Sequence, residues 1–525
     1  MAQVSGIRLI SGVLTVGVWT LLSRILGFVR DILIAAWMGT GPVAEAFLVA
    51  FALPNMFRRF FAEGAFNMAF VPMFSKKLEA RDDAVGFAQN ALAALTLVLV
   101  IFTVLATVFM PWLVLAMASG FRGDERFDIA VTLGRVVFVY ILFISLAALF
   151  SGVLNASGRF MAAAAAPVLL NIILIGALLL AERGVGRSVI GDETGALHGT
   201  LISFGVVLAG IAQLALVWWA AARAGYRIRL TLPRPSPELK RLLIIAAPAA
   251  LAGGVVQINL LIGRQVASFF EGAVAWLAYA DRLYQLPLGV VGIAIGIVLL
   301  PDLSRRLQAD DIAGSRAAFS RATEMSMALS IPAAVALAVI PASLVSALFE
   351  RGAFEAADTA ATALACAVYG LGLPAFVMQK VVQPLFFARE DTRRPFYYAV
   401  IAMIVNAGIA VGLMSTLGFI AAAIGTTFAG WAMLALLWRG SRGMGEAARL
   451  EDITKKRLLR IVAAALLMGA VLWGADRYVL TGLMAGAPLF AVLLLCLIGL
   501  GSYAIFGLAL RAFTLRDLKS IARRR

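Results

Sequence analysis

Between Ala84 and Phe121 the chain carries no charged residue, and apolar stretches of this kind recur along its 525 residues. In hydrocarbon no water bonds the peptide N–H and C=O groups, so a segment of this composition has to satisfy its backbone internally, as a helix does. Apolar residues make up 62% of the chain and charged ones 14%, with a mean hydropathy of +0.95. Soluble domains hold about half and about a quarter, respectively. A window of about 19 residues finds roughly fourteen helix candidates. They cover 8–37, 43–73, 86–118, 128–156, 161–181, 197–222, 240–270, 274–303, 318–348, 358–388, 395–416, 419–439, 458–476 and 486–511. The expected fold class is an all-α polytopic membrane protein. Several candidates exceed the twenty or so residues that cross about 30 Å, which implies tilt, bends or extension beyond the bilayer. Arg8 and the run Leu9 to Leu22 look like a secretory leader, yet Arg24 follows with no small-x-small cleavage site, so a retained first helix is expected.

Cation placement sets the orientation. With the N-terminus cytoplasmic, about 31 Lys and Arg fall in cytoplasmic segments against about seven outside, a strong positive-inside bias that puts both termini in the cytoplasm. The formal charge of +16 is then mostly topological and spread over loops, which argues against nucleic-acid binding. Cys366 and Cys496 lie far apart in apolar runs and read as small buried hydrophobes, and the single His198 favours a helix-end or interfacial role. No metal site, cofactor or hydrolytic triad is expected from these residues.

Marks recur at an offset of roughly 230–235 residues. Val71-Pro72-Met73-Phe74-Ser75-Lys76-Lys77-Leu78 is echoed by Leu300-Pro301-Asp302-Leu303-Ser304-Arg305-Arg306-Leu307. Leu53-Pro54 is echoed by Leu286-Pro287, and Arg159 with Asn171 by Arg394 with Asn406. Six helices per repeat return the chain to its starting side, so two parallel six-helix lobes are expected, with substrate between them near the midplane. The predicted organisation is a lobe over 1–222, a Pro-rich cytoplasmic linker over 223–240, a second lobe over 241–441, an extra helix pair over 455–512 and a basic tail over 513–525.

Seven cations sit inside the apolar stretches: Arg24, Arg30, Arg58, Arg59, Arg264, Arg282 and Lys380. A charge at the bilayer centre costs roughly 2.5–3.5 kcal/mol on insertion scales, so such residues normally face a polar pathway or an anionic ligand. Arg24 and Asp31 share a helix face, while Arg30 lies about 120° from Arg24, so one cavity lined by both arginines needs a bend, for which Gly27 is placed. The second helix carries Glu45, Pro54, Asn55, Arg58, Arg59 and Glu63; its adjacent arginines point about 100° apart, so only one of them is expected to face a ligand. Asn259 and Arg264 share the seventh candidate, Asp281 reads as a local partner of Arg282, and Lys380 with Gln379 is either a coupling site or a hydrogen-bonded network. Against Asp31, Glu45, Glu63 and Asp281 the seven cations leave an excess of about +3, which a diphosphate would compensate and which suits several forked guanidiniums.

Three strings, SRILGFVRD (23–31), AFLVAFALPNMFRRFFAEGAFNMAFVP (46–72) and WLAYADRLYQLPLGVVGIAIGIVLLPDLS (276–304), resemble the MurJ (MviN) lipid II flippases of the multidrug/oligosaccharidyl-lipid/polysaccharide exporter superfamily. The resemblance covers essentially the whole chain. It implies a fourteen-helix fold in the cytoplasmic (inner) membrane that exports the undecaprenyl-diphosphate-linked peptidoglycan precursor by alternating access, with lipid II and membrane lipid as partners, possible cell-wall synthesis machinery beside them, and a monomeric chain. It puts the functional arginines on Arg24, Arg30, Arg58 and Arg282, the acidic position of the second helix on Glu45, and a groove for the polyprenyl tail along the last two helices. Many relatives have Glu where this chain has Gln285 and Lys where it has Ala52, so roles tied to those side chains do not transfer. No sodium site of the kind found in part of the family is recognisable.

Two other readings compete. A drug/cation antiporter would present net acidic sites to its cargo. A polytopic glycosyl- or prenyl-transferase would draw on the paired acids Asp82-Asp83 and Asp310-Asp311, which do not extend to Asp-Asp-x-x-Asp.

Overall fold

Proline decides where the long apolar runs break. Pro111 and Pro341 have no N–H to give a preceding turn but fit the first turn of a new helix, so two predicted spans each divide into a long helix and a short one. The computed structural model describes residues 2–59, 66–190, 195–479 and 481–514. It is 86% helical, with no strand among the described residues. Ten helical segments are long and apolar enough to cross a membrane, by length and composition among the described residues.

The chain divides into two compact units. The first comprises Met1–Leu261 with Arg351–Phe354. It holds α1 (Ala2–Met38), α2 (Pro42–Arg58), α3 (Asn67–Glu79), α4 (Ala84–Val108), α5 (Met110–Met117), α6 (Glu125–Phe138), α7 (Tyr140–Ala156), α8 (Met161–Glu182), α9 (Arg187–Ile190), α10 (Ala196–Arg223) and most of α11 (Pro237–Ala267). α8 packs on α1 and α10, and α2 on α6, around fully buried Phe47, Phe70, Phe121, Phe138 and Tyr140. The segment between α10 and α11 is extended and pinned to α4: Asn90 donates to the Arg234 carbonyl (2.8 Å) and accepts from the Arg234 N–H (2.7 Å).

The second unit comprises Ile262–Glu350 and Glu355–Arg525. It holds the end of α11, then α12 (Ala273–Gln308), α13 (Ile312–Val339), α14 (Pro341–Phe349), α15 (Ala356–Phe387), α16 (Arg393–Leu417), α17 (Ile420–Ser441), α18 (Asp452–Gly474), α19 (Thr481–Gly486) and α20 (Pro488–Ala509). α15 is its centre, packed by α12, α13, α14 and α17 through buried Leu373, Val377, Val381, Leu385 and Phe386. The last helix pair is fastened to α13 and α14 along its length. Glu324 accepts from Thr454 (2.6 Å) and Arg457 (3.0 Å) near one end, and Ser343 donates to Asp476 (2.5 Å) near the other. Between these lie buried Ile340, Met468, Leu472 and Leu495. Cys366 is buried as expected, but Cys496 is exposed on α20. The sequence signal was the same for both because an apolar run in a membrane helix does not distinguish the face turned to lipid from the face turned to protein.

The same local devices recur in both units. After α3 the chain turns through Arg81 (φ 53°) and after α12 through Asp310 (φ 53°). Asp83 then caps α4 by accepting from the Gly86 N–H (2.8 Å), and Asp311 caps α13 by accepting from the Gly314 N–H (2.8 Å). The paired acids considered as enzymatic ligands are therefore turn and cap residues, and a Cβ at either glycine would collide with the capping carboxylate. Replacing Asp83 or Asp311 with Ala removes one cap and is expected to destabilise its unit by about 1 kcal/mol. A lowered unfolding midpoint in detergent checks this.

Candidate functional site

In the first unit the polar side chains of α1 are held very differently from one another. Arg24 is exposed on the helix surface, whereas Arg30, six residues on, is 6% exposed. Its guanidinium donates to Asp31 Oδ1 from Nε (3.0 Å) and Nη2 (2.7 Å), and to Asn171 Oδ1 from Nη1 (3.0 Å). Asn171, on α8, donates in turn to the Ser23 carbonyl (2.8 Å), and the Phe51 ring lies 6.0 Å from the guanidinium carbon. Asp31 therefore answers the neighbouring arginine rather than Arg24, with which it shares a helix face. A guanidinium on a three-carbon stem reaches an adjacent side chain, which angular spacing on a helical wheel does not register.

On α2, Pro54 removes one main-chain donor, and the Asn55 side chain donates to the Phe51 carbonyl (2.8 Å) beside the interruption. Arg58 is half-buried and Arg59 exposed, so the two diverge as their spacing requires. Glu63 lies outside the described residues. Glu45 is 1% exposed and its Oε2 accepts from Arg126 Nη1 (2.9 Å). Arg126 also donates from Nε to Asp124 (2.6 Å) and lies 4.5 Å from the Phe121 ring centre. Glu45 was counted against the seven intramembrane cations, but it answers an eighth, at the start of α6. The sign of the excess is unaffected, while its acidic side rests among the described candidates on Asp31 and Asp281.

In the second unit Asp281 is half-buried, and the Gln285 side-chain amide donates to it. Arg282, Arg264 and the Tyr284 hydroxyl are its other polar neighbours. Tyr284 packs on Tyr369 (5.3 Å between ring centres) and Phe376 (5.8 Å), which fixes this side of α12 against α15. Arg282 is exposed and Arg264 half-buried. Asn259, on the part of α11 that belongs to the first unit, is half-buried. Gln379 donates to the Gly430 carbonyl (2.8 Å) and ties α15 to α17, while neighbouring Lys380 is exposed. No group of three or more His, Cys, Asp or Glu is placed to hold a metal among the described residues. His198, near the start of α10, stacks on Trp37 of α1 (5.8 Å), with Glu182 3.5 Å from its Nε2.

Two sets of cations thus lie inside apolar helices, each with fewer acids among the described residues. A sequence model of the family described as "Lipid II flippase MurJ" matches residues 34–494. The chain belongs to the MurJ lipid II flippase family. A probable lipid II flippase MurJ of Rhizobium meliloti (strain 1021) is 45% identical over 485 residues, covering 90% of this chain and 88% of the relative. The lipid II flippase MurJ of Burkholderia cenocepacia is 32% identical over 497 residues, covering 94% and 95%. A solved structure titled "Lipid II flippase MurJ, inward closed conformation" superposes with a TM-score of 0.79 at 24% identity, over 96% of this chain and 99% of that one. An inward-facing multidrug-resistance MATE transporter of the MOP superfamily gives 0.66 at 16% identity, over 81% and 95%. At these identities the two structures establish a shared architecture.

In this MurJ family member sequence reasoning missed Arg126 and the role of Asn171. Arg126 sits in an Asp-Glu-Arg string that reads as an ordinary helix start. Asn171 was noticed only as a repeat mark, although a lone amide in an apolar span is itself a signal of a buried polar partner. Replacing Arg126 with Ala leaves Glu45 buried without its partner and is expected to cost about 3–5 kcal/mol, with part of the loss recovered in Glu45→Gln/Arg126→Met. Unfolding midpoints of the two variants in detergent check the pairing.

Proposed function

We propose that this chain carries lipid II, the undecaprenyl-diphosphate-linked peptidoglycan precursor, from the cytoplasmic to the outer leaflet of the inner membrane by alternating access. The observation that carries the reading is the family match across residues 34–494, with 45% identity to a curated relative over 90% of the chain. The residues add the chemistry. Arg24, Arg58 and Arg282 bind the diphosphate, whose oxygens suit forked guanidinium donors, while Arg30, expected from the resemblance to bind it too, is bonded to Asp31 and Asn171 and holds α1 against α8 instead. Asp31, Asn55, Arg59, Glu63, Asn259, Arg264, Asp281 and Lys380 shape or gate the path, and Glu45 supports it through Arg126. Beside the ten spans long and apolar enough to cross, α1, the predicted run over 43–73, α11 and α12 are assigned to the remaining four of fourteen crossings. They form lobes over 1–222 and 241–441 joined by the linker 223–240, with the pair at 455–512 receiving the polyprenyl tail and the basic tail 513–525 in the cytoplasm.

Membrane potential supplies a direction. With the cytoplasm negative, moving a doubly charged anion outward gains up to about 4.6 kcal/mol per 100 mV, and the emptied cationic site is drawn back inward. The protein works as a monomer beside the cell-wall synthesis machinery, without a metal or cofactor and without chemical conversion of its cargo.

Vesicles containing the purified protein and labelled lipid II test this directly. Translocation should exceed that of protein-free vesicles, rise with an imposed inside-negative potential for inside-in protein, and fall by roughly tenfold or more in Arg24→Ala and in Arg282→Ala, the loss of one charge-assisted contact each. Absence of translocation at any potential, or full activity in both variants, would overturn the proposal.

A further inference from the structure

Between Met161 and Ala181, α8 carries a single polar side chain, Asn171, which is 5% exposed. Both ends of its amide are committed to α1. Oδ1 accepts from Arg30 Nη1 (3.0 Å), while Nδ2 donates to the Ser23 carbonyl (2.8 Å) and lies 3.3 Å from the Ser23 hydroxyl. A guanidinium only donates and a carbonyl only accepts, so this orientation of the amide is the one that satisfies both. A Cβ on Gly27 would lie 3.5–3.8 Å from the Asn171 side chain. The amide therefore rests on α1 over Gly27 and joins two points about 10 Å apart along the helix axis.

Neither bond is needed to satisfy its partner on α1. The Arg30 charge already receives two bonds from Asp31, and a carbonyl in mid-helix accepts from the N–H four residues on. What the two bonds supply together is the rotation of α1 about its own axis. At 100° per residue Ser23, Gly27 and Arg30 lie within about 60° of one another, on the face turned to α8. Arg24 lies about 100° beyond Ser23 and is joined to it by the same peptide group that Asn171 holds. Its side chain is exposed, with no hydrogen bond or ion pair among the described residues. Turning α1 by about 20° would carry a group about 6 Å from the axis through about 2 Å. A charge-assisted hydrogen bond does not survive such a shift, because its length is confined to a few tenths of an ångström.

We propose that Asn171 is a positioning residue for the diphosphate: it holds α1 at the rotation at which the Arg24 guanidinium meets the phosphate oxygens, and it touches no ligand itself. The inference rests on the transport reading, since Arg24 is the group through which it acts. An asparagine suits the task because one side chain must accept from a guanidinium and donate to a carbonyl within a short reach. Aspartate keeps the first bond and loses the second. Glutamine keeps both groups but places them one methylene further from α8.

The test is a double-mutant cycle between Asn171 and Arg24 in the full chain, read by translocation of labelled lipid II in vesicles and by binding of undecaprenyl diphosphate in detergent. Asn171→Asp is expected to lower both readouts roughly tenfold when Arg24 is present, the loss of one charge-assisted contact. With Arg24→Ala already in place the same substitution lowers them about twofold or less, since the group it positions is gone. A side chain that only supports the fold would give the same loss in both backgrounds. Asn171→Gln is expected to lose about threefold with the same dependence on Arg24, and it carries the test if the aspartate variant fails to fold. Equal losses with and without Arg24, or full activity in both Asn171 variants, would sink the assignment and leave the transport reading intact. Absence of both translocation and diphosphate binding in the wild type would overturn the two together.

Discussion

A guanidinium placed among apolar helices has to be answered by a carboxylate, an amide, an aromatic face or a ligand, because hydrocarbon supplies nothing else. Much of the polar interior follows from that requirement. Arg30 is answered by Asp31 and Asn171, and through Asn171 the packing of α8 on α1 becomes part of the same network. Arg126 is answered by Glu45 and Asp124, which binds α6 to α2. Charge neutralisation and helix packing are thus one event at these positions, since each buried ion pair also fixes which helices touch.

The exposed cations have the opposite character. Arg24, Arg59, Arg282 and Lys380 lie on the surfaces of their units, with half-buried Arg58 and Arg264 between the two extremes. This separates intramembrane charges buried inside the fold from those at the surfaces of their units, a distinction the raw excess of cations conceals. Gln285 illustrates the point. Its side-chain amide donates to Asp281, so the cluster near Arg282 and Arg264 holds one carboxylate where a glutamate at this position would add a second.

Much of the helical layout was legible because a bilayer imposes a length and a composition on anything that crosses it. Predicted spans such as 161–181 and 197–222 agree with Met161–Glu182 and Ala196–Arg223 to within two residues. The breaks at Pro111 and Pro341 lie inside predicted runs, since apolar composition continues across them and only the missing N–H interrupts the helix. Charged candidates were legible as types, through their cost in an apolar segment, but not as partners. Glu45 and Arg126 are 81 residues apart, and Arg30 and Asn171 are 141.

By itself the sequence determined that this protein is a polytopic helical membrane protein, rich in intramembrane arginines, in the likeness of the lipid II flippases, because hydropathy, charge cost and motif strings are properties of the chain read in order. Only the tertiary structure decided that Arg30 is locked while Arg24 is open, that Glu45 belongs to Arg126, and that the paired loop acids are helix caps. Those outcomes depend on which helix faces meet, and side chains far apart in sequence are brought within 3–4 Å of one another only by packing.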